Sequence, residues 1–146
     1  MKNLAKYLSS TLLALGLFVH SANAGDTPAF DRGINLEKSG YYKEAIDEFT
    51  HAIAEEPSDP YAYYNRGVCR KILGDYQGAI DDQTIAVSLD PSNGDAYFNM
   101  AESLQKLGKK DEAIVNYQKA ADLLKVQGDD ALYNMAIDSI NSLKSQ

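Results

Sequence analysis

The residue types that most often perform catalysis are scarce in this sequence of 146 residues. Cys69 is the only cysteine, and His51 is the only histidine outside the first 24 residues. A nucleophile–histidine–carboxylate mechanism would need His51, which falls on a predicted helix with no serine elbow nearby. One histidine and one cysteine do not make a zinc ligand set. We therefore expect no catalytic centre, no metal site, no cofactor and no enzymatic activity.

Two pairs of adjacent acids, Asp81-Asp82 and Asp129-Asp130, are the other groups of a type that takes part in catalysis. Neighbouring residues on a helix point in different directions, so such a pair does not aim two carboxylates at one atom. Acids at the start of a helix also interact favourably with its dipole. We therefore interpret both pairs as structural, and we expect Cys69 to be a small core residue.

The net charge narrows the class of partner. The chain carries −7 at neutral pH, and −9 once the first 24 residues, which hold two lysines and no acid, are removed. Phosphate binding requires clustered lysine and arginine, so we expect neither nucleic acid nor anionic lipid as a partner. The acidity either attracts basic partners or serves solubility alone, and the sequence leaves both open.

The first 24 residues have the order of a secretory signal peptide. Two lysines precede a short apolar run at residues 8–19, and Ala22-Asn23-Ala24 supplies the small residues that signal peptidase requires. The run is shorter than the ~20 residues of a membrane span, which disfavours an uncleaved anchor. We predict cleavage after Ala24, no stable membrane insertion afterwards, and a periplasmic or secreted location.

The rest of the chain repeats with a period of 34 residues. Small and aliphatic residues return at this spacing in three copies: Gly40, Gly74 and Gly108; Ala45, Ala79 and Ala113; Ile46, Ile80 and Ile114; Ala52, Ala86 and Ala120. A fixed period of this size indicates stacked repeats, each burying its apolar face against its neighbours.

Each copy predicts two helices joined by a tight turn. In the second copy, Gly74 suits the left-handed conformation that ends a helix, Asp75 can cap the next helix, and Pro91 cannot continue it. The predicted helices cover residues 30–39, 42–55, 61–73, 76–89, 96–107 and 110–125, the last running on towards Gly128. A tail at residues 129–144 has an apolar stripe and a polar outer face. It predicts a capping helix, with a docking helix for a partner as the alternative.

These features resemble the tetratricopeptide repeat family, which combines this period with an alanine followed four positions later by an aromatic residue. Ala45-x3-Phe49 matches that pattern, Ala113-x3-Tyr117 matches it conservatively, and the second copy has Gln83 at the aromatic position. The resemblance implies an all-α, right-handed superhelix of three helical hairpins plus the capping helix at residues 129–146. The repeats lie within residues 25–128, at about 26–59, 60–93 and 94–127, behind the signal peptide at 1–24.

The resemblance also implies a binding groove lined by the first helix of each repeat. Two rows of residues fall at its groove positions: Phe30, Tyr64, Phe98 and Tyr133 in one, and Asp31, Asn65, Asn99 and Asn134 in the other. Asparagine can donate to and accept from a peptide backbone, and aromatic rings give rigid contact area. Packing between helices would use the same helical period, so ligand contact and packing stay open for the aromatic row.

The resemblance therefore predicts a protein- or peptide-binding adaptor or scaffold. Some relatives hold a terminal carboxylate with a clamp of lysine, asparagine and arginine, and only Asn65 matches that clamp here. A terminal carboxylate ligand is thus disfavoured. Lys38 and Lys71 are expected to be solvated, with contact to an acidic ligand as the alternative. The alternative function is a structural subunit that stacks through its repeat ends, with weak self-association.

Overall fold

The computed structural model of the chain describes residues 27–145. These residues form seven α-helices and no strand: α1 Pro28–Lys38, α2 Tyr42–Glu55, α3 Pro60–Ile72, α4 Tyr76–Leu89, α5 Gly94–Lys106, α6 Lys110–Gln127 and α7 Asp130–Lys144. The predicted signal peptide and its cleavage site lie outside the described residues.

The helices stack as three hairpins followed by a single helix. Unit one is α1 and α2, unit two is α3 and α4, and unit three is α5 and α6. Each first helix packs against the second helix of its own unit and against that of the preceding unit, and α7 packs on α6 in the same way. The first helices α1, α3 and α5 also lie beside one another, and we call them the first-helix layer. The predicted fold class, an all-α superhelix of helical hairpins, is confirmed.

The first helices begin earlier than predicted because polar side chains cap them further upstream. Thr27 Oγ1 accepts from the backbone N–H of Phe30 at 3.1 Å, and Pro28 occupies the first turn of α1. Asp59 caps α3 in the same way, with Pro60 as its first residue. Proline suits this position because the missing N–H has no intrahelical partner there. A capping residue followed by proline indicates these helix starts in the sequence, and the prediction of a start at residue 30 did not take that pattern into account.

Glycines in the left-handed region end the helices where the sequence placed the turns. Gly74 has a φ of +85° and Gly128 has a φ of +79°. Asp75 then caps α4 by accepting from the backbone N–H of Gly78 at 3.0 Å, as predicted. The long α6 also runs to Gln127 and ends at Gly128, as expected from the missing proline in the third copy.

Close approach of the two helices in each unit depends on small residues. A Cβ placed on Gly33 would lie 2.6 Å from the Phe49 ring, and one placed on Gly67 would lie 2.7 Å from Nε2 of Gln83. Such separations are far below van der Waals contact, so a side chain at either glycine would drive the helices apart.

Unit two has a polar interior that the sequence analysis did not predict. Asp82 is 1% exposed and holds two guanidinium groups, with Arg66 Nη2 at 2.7 Å from Oδ1 and Arg70 Nη1 at 2.9 Å from Oδ2. Asp82 is structural, as interpreted, but it acts through these ion pairs and not through the helix dipole, because it lies in the middle of α4. The sequence does contain a pattern that indicates the ion pair between Arg66 and Asp82. Arg32 and Glu48 in unit one are 16 residues apart, as Arg66 and Asp82 are in unit two, and they also form an ion pair.

Gln83 is the second polar group inside unit two, at the position that Phe49 and Tyr117 fill in the other units. Its side chain is fully buried, and its Nε2 donates to the backbone oxygen of Tyr64 at 3.1 Å. Its Oε1 has no hydrogen-bond partner among the described residues. A buried acceptor without a donor costs free energy, so Gln83 weakens the unit that it fills.

Gln83→Phe is expected to raise the free energy of unfolding by about 1 kcal/mol, because it removes the orphaned acceptor. The ring should fit since Phe49 lies against Gly33 as Gln83 lies against Gly67. Urea unfolding followed by far-UV circular dichroism measures the change. Gln83→Glu, which has the same size but buries a charge, should lower stability. A phenylalanine variant less stable than the parent would show that the space is too small for a ring.

Candidate functional site

Four polar side chains from units two and three meet on the first-helix layer. The Asn99 Nδ2 donates to the Tyr64 hydroxyl at 3.4 Å and to the backbone oxygen of Asp95 at 2.9 Å. The Lys71 ammonium donates to both Asn99 Oδ1 and Glu102 Oε2. We call Tyr64, Lys71, Asn99 and Glu102 the cross-unit cluster. It joins α3 to α5 by side-chain contacts.

The Tyr64 hydroxyl of this cluster has a pKa above the ordinary value for tyrosine. The pKa of Tyr64 is raised to about 12, mainly by burial and also by the nearby carboxylates of Asp95 and Glu37, whereas the hydrogen bond from Asn99 lowers it. Burial also raises the pKa of Asp95, with a smaller contribution from the Asp129 carboxylate, and burial raises that of Glu37. The site therefore presents a neutral phenol whose pKa is influenced by the carboxylates of Asp95 and Glu37.

Tyr64 is expected to ionise near pH 12 in the folded protein, well above the ordinary value of about 10. Because the folded pKa is raised, its contribution to stability is complete below pH about 10 and is lost as pH rises towards 12. Ultraviolet absorbance of phenolate during alkaline titration measures this step, with circular dichroism monitoring the fold. Tyr64→Phe should remove one late step, and the urea-unfolded chain should lack it. A single transition near pH 10 in the folded protein would contradict the prediction.

The aromatic row predicted for the groove divides in the structure. The Phe30 ring lies against Phe49 of its own unit, with centroids 5.7 Å apart. Phe98 is 5% exposed and meets Tyr117 edge-on at 5.3 Å. Phe98 therefore has almost no surface for a ligand, and the packing alternative describes it. The next residue on α5, Asn99, is more exposed to solvent than Phe98.

Like Phe30, Tyr64 and Tyr133 are members of the row that keep part of their surface exposed. Both side chains are half-buried. The Lys125 ammonium lies 5.8 Å from the centroid of the Tyr133 ring, which is within cation–π range. Tyr133 thus contacts α6, whereas Tyr64 contacts Asn99 of α5 within the cross-unit cluster.

The asparagine row lies nearer to solvent. The Asn65 Nδ2 donates to the backbone oxygen of Tyr61 one turn earlier, at 2.8 Å, and Asn99 makes the same kind of bond to Asp95. The Oδ1 of Asn65 makes no hydrogen bond among those of the described residues, so it is available as an acceptor. Asn134 on α7 and Asp31 on α1 are exposed.

The sequence analysis missed the role of Lys71, which was expected to be solvated. Its ammonium is instead held between α3 and α5 by Glu102 and Asn99. No spacing could have revealed this contact, because Lys71 and Glu102 lie 31 residues apart and the pair does not recur in unit one.

The first-helix layer offers recognition groups. Amide donors and acceptors, a phenol, and one compensated ammonium–carboxylate pair can bind a peptide backbone and polar side chains. His51 is exposed on α2, away from the cross-unit cluster. Cys69 is fully buried, and burial raises the pKa of its thiol to about 12, so the thiolate is disfavoured.

Residues 27–145 contain neither a metal-binding group of side chains nor a membrane-spanning helix. No three or more histidine, cysteine, aspartate or glutamate side chains in this range are grouped so that they could hold a metal ion. None of the helices in the same range is long and apolar enough to cross a bilayer.

Two sequence models of the tetratricopeptide repeat match the chain, over residues 30–94 and 85–115. No curated protein matches it. Many solved structures resemble it, and three of them illustrate the likeness. A T3SS complex from Aeromonas hydrophila has a TM-score of 0.80 at 22% identity, over 96% of both chains. PcrH in complex with the chaperone binding region of PopD has a TM-score of 0.78 at 23% identity, over 80% of this chain and 89% of that one.

The third is the second TPR of Spaghetti bound to an HSP90 peptide. Its TM-score is 0.63 at 30% identity, over 64% of this chain and 86% of that one. The two repeat models together span the first two units and the start of the third, where the hairpins, glycine turns and small interhelical residues were found. The chain therefore belongs to the tetratricopeptide repeat family.

Proposed function

We propose that this chain is an exported adaptor or scaffold that binds a peptide or another protein along its first-helix layer. The observation that carries the proposal is the partly exposed amide and phenol surface formed by Asn65, Asn99 and Tyr64. These groups lie on neighbouring first helices and offer hydrogen bonds to a backbone that crosses from unit to unit.

Similar proteins with this fold support a protein ligand. PcrH is bound to a region of PopD, and the Spaghetti repeat is bound to an HSP90 peptide. The HSP90 peptide ends in an acidic sequence, whereas this chain lacks the carboxylate clamp and has Asp95 and Asn99 at two of its positions. We therefore propose a ligand held through its backbone and side chains.

Export is supported by the order of residues 1–24, in which lysines, an apolar run and Ala22-Asn23-Ala24 follow one another. Cleavage after Ala24 would leave 122 residues, enough for one domain with the three units and the capping helix. The compartment we propose is the periplasm or the medium. The intact mass of the protein recovered from its host tests this, because retention of residues 1–24 would contradict it.

Affinity capture tests the binding face. The bait is the full chain with a C-terminal tag, expressed in its host, and the test variant carries Asn65→Ala and Asn99→Ala. The matched control is Asn116→Ala, because Asn116 Nδ2 also donates to a backbone oxygen one turn earlier at 2.9 Å but lies on the second helix α6. Loss of a protein with the double variant and its retention by the control support the proposal. Equal capture by all three baits would refute it.

Self-association is a second candidate function, favoured by the end of the stack. Val115 and Val126 on α6 are largely exposed, and a depression of about 460 Å³ lies between α6 and Lys144 of α7. No second helix follows α7 within the described residues, so this flank of α6 has no further unit beside it there. Light scattering over a concentration series distinguishes the candidates, because a particle size independent of concentration excludes stacking.

A further inference from the structure

A small depression opens at the edge of the first-helix layer, where α3 ends, α4 begins and the last turns of α5 pass. Its volume is about 180 Å³, and its lining residues are Lys71, Ile72, Tyr76, Glu102 and Lys106. Pockets for small organic ligands begin at about 300 Å³, so this space suits one side chain of a larger ligand. We call it the edge socket.

The edge socket has an apolar part that is open to solvent. Ile72 is 48% exposed, and the Tyr76 ring is half-buried. The residues that follow Ile72 and Lys106 in the sequence, Leu73 and Leu107, are exposed as well. Unit one has Ser39 at the position equivalent to these leucines, so the apolar edge belongs to units two and three. Exposed aliphatic surface beside a depression favours the burial of an apolar side chain.

The rim of the edge socket carries more positive than negative charge. The Lys71 ammonium is compensated by the Glu102 carboxylate, with which it forms an ion pair. Lys106 is exposed and makes no ion pair or hydrogen bond among those of residues 27–145. One ammonium group is therefore free to meet a ligand carboxylate at the mouth of an apolar depression.

We propose that the edge socket receives an apolar side chain whose neighbour in the ligand is an aspartate or glutamate. This inference rests on the proposed peptide-binding function and specifies the ligand class. The apolar side chain covers Ile72 and Tyr76, and the adjacent carboxylate pairs with the Lys106 ammonium. The net negative charge of the chain does not oppose this pairing strongly, because salt screens charges more than about 8–10 Å away.

A phage-displayed library of random peptides, selected on the full chain, tests the socket. The selected peptides are then compared on Lys106→Glu, on Ile72→Ser, and on the control Lys43→Glu. Lys43 is an exposed lysine on α2 of unit one that does not line the socket, so its variant makes the same charge change outside it. We expect peptides with an aliphatic or aromatic residue next to an acid. Lys106→Glu and Ile72→Ser should each weaken them about tenfold, and Lys43→Glu should not.

The outcomes separate the socket from the proposed function. Selected peptides that bind Lys106→Glu and Ile72→Ser as tightly as the parent, or that are rich in lysine and arginine, overturn the socket. If the socket variants bind these peptides normally but the double variant Asn65→Ala, Asn99→Ala does not, the socket is refuted and the proposed peptide-binding face is supported. Failure to select any peptide from the library overturns the proposed peptide ligand and the socket together. Circular dichroism of each variant confirms that the fold is retained.

Discussion

Replacing Asp82 by asparagine is expected to lower the free energy of unfolding by about 3 kcal/mol. Removal of one partner from a buried ion pair costs about 3–5 kcal/mol, because the remaining charge stays desolvated without compensation. Here two guanidinium groups lose their carboxylate, and Arg66 and Arg70 keep 13% and 27% of their side-chain surface exposed. That partial hydration places the expected loss at the lower end of the range.

Urea unfolding of the purified protein, followed by far-UV circular dichroism, measures the Asp82→Asn effect. Unit one supplies the matched control, because Glu48 and Arg32 occupy the equivalent positions and their ion pair is exposed to solvent. Glu48→Gln should cost much less than Asp82→Asn, since exposed ion pairs contribute little. Equal losses at the two positions would show that burial of Asp82 is not what makes its ion pairs matter.

Tyr117→Ala is expected to cost about 3–5 kcal/mol, the range for removing a large aromatic side chain from a packed core. Tyr117 is 1% exposed, its ring meets Phe98, and its hydroxyl donates to Gln105 Oε1 at 2.8 Å. It lies within the largest apolar cluster, which joins unit three to α7. In the Tyr117→Ala variant, the C-terminal end of the stack should therefore unfold before the rest of the chain, because each repeat contacts only its neighbours.

Hydrogen exchange of backbone amides resolves where the Tyr117→Ala protein opens. Faster exchange should be confined to α5, α6 and α7, and α1 and α2 should keep the exchange rates of the parent. Tyr117→Phe separates the two contributions, because it keeps the ring and loses only the hydrogen bond, worth about 1 kcal/mol. Tyr41→Ala, at a position 58% exposed, is the control for tyrosine loss. Uniform acceleration along the chain would refute the local opening.

The binding face and its stability are connected through unit two. Tyr64 is on the same helix as Arg66, and its backbone oxygen accepts from the buried Gln83. A unit held by polar contacts depends on exact hydrogen-bond geometry more than one held by an aromatic ring. Gln83→Phe therefore offers a way to stiffen the central unit without changing a side chain of the first-helix layer.

The sequence by itself determined the fold class and most helix ends of this protein. A period of 34 residues fixes which positions are equivalent, and local chemistry fixes where the helices stop. Gly74 and Gly128 adopt the left-handed conformation that their type favours, and Asp75 caps the helix that follows it. Such features are decided within a few residues, so a single sequence is enough to predict them.

Only the tertiary structure decided which side chains of the candidate site are accessible. Helical periodicity gave Tyr64 and Phe98 the same position, yet Phe98 is sealed by Tyr117 whereas Tyr64 meets Asn99 and keeps part of its surface. The residues packed against equivalent positions differ, since Tyr117 lies against Phe98 whereas Gln83 stands at the matching position in unit two. The helical period of the sequence shows on which face of a helix a residue lies. Its burial and its ion pairs depend on the residues that pack against that face.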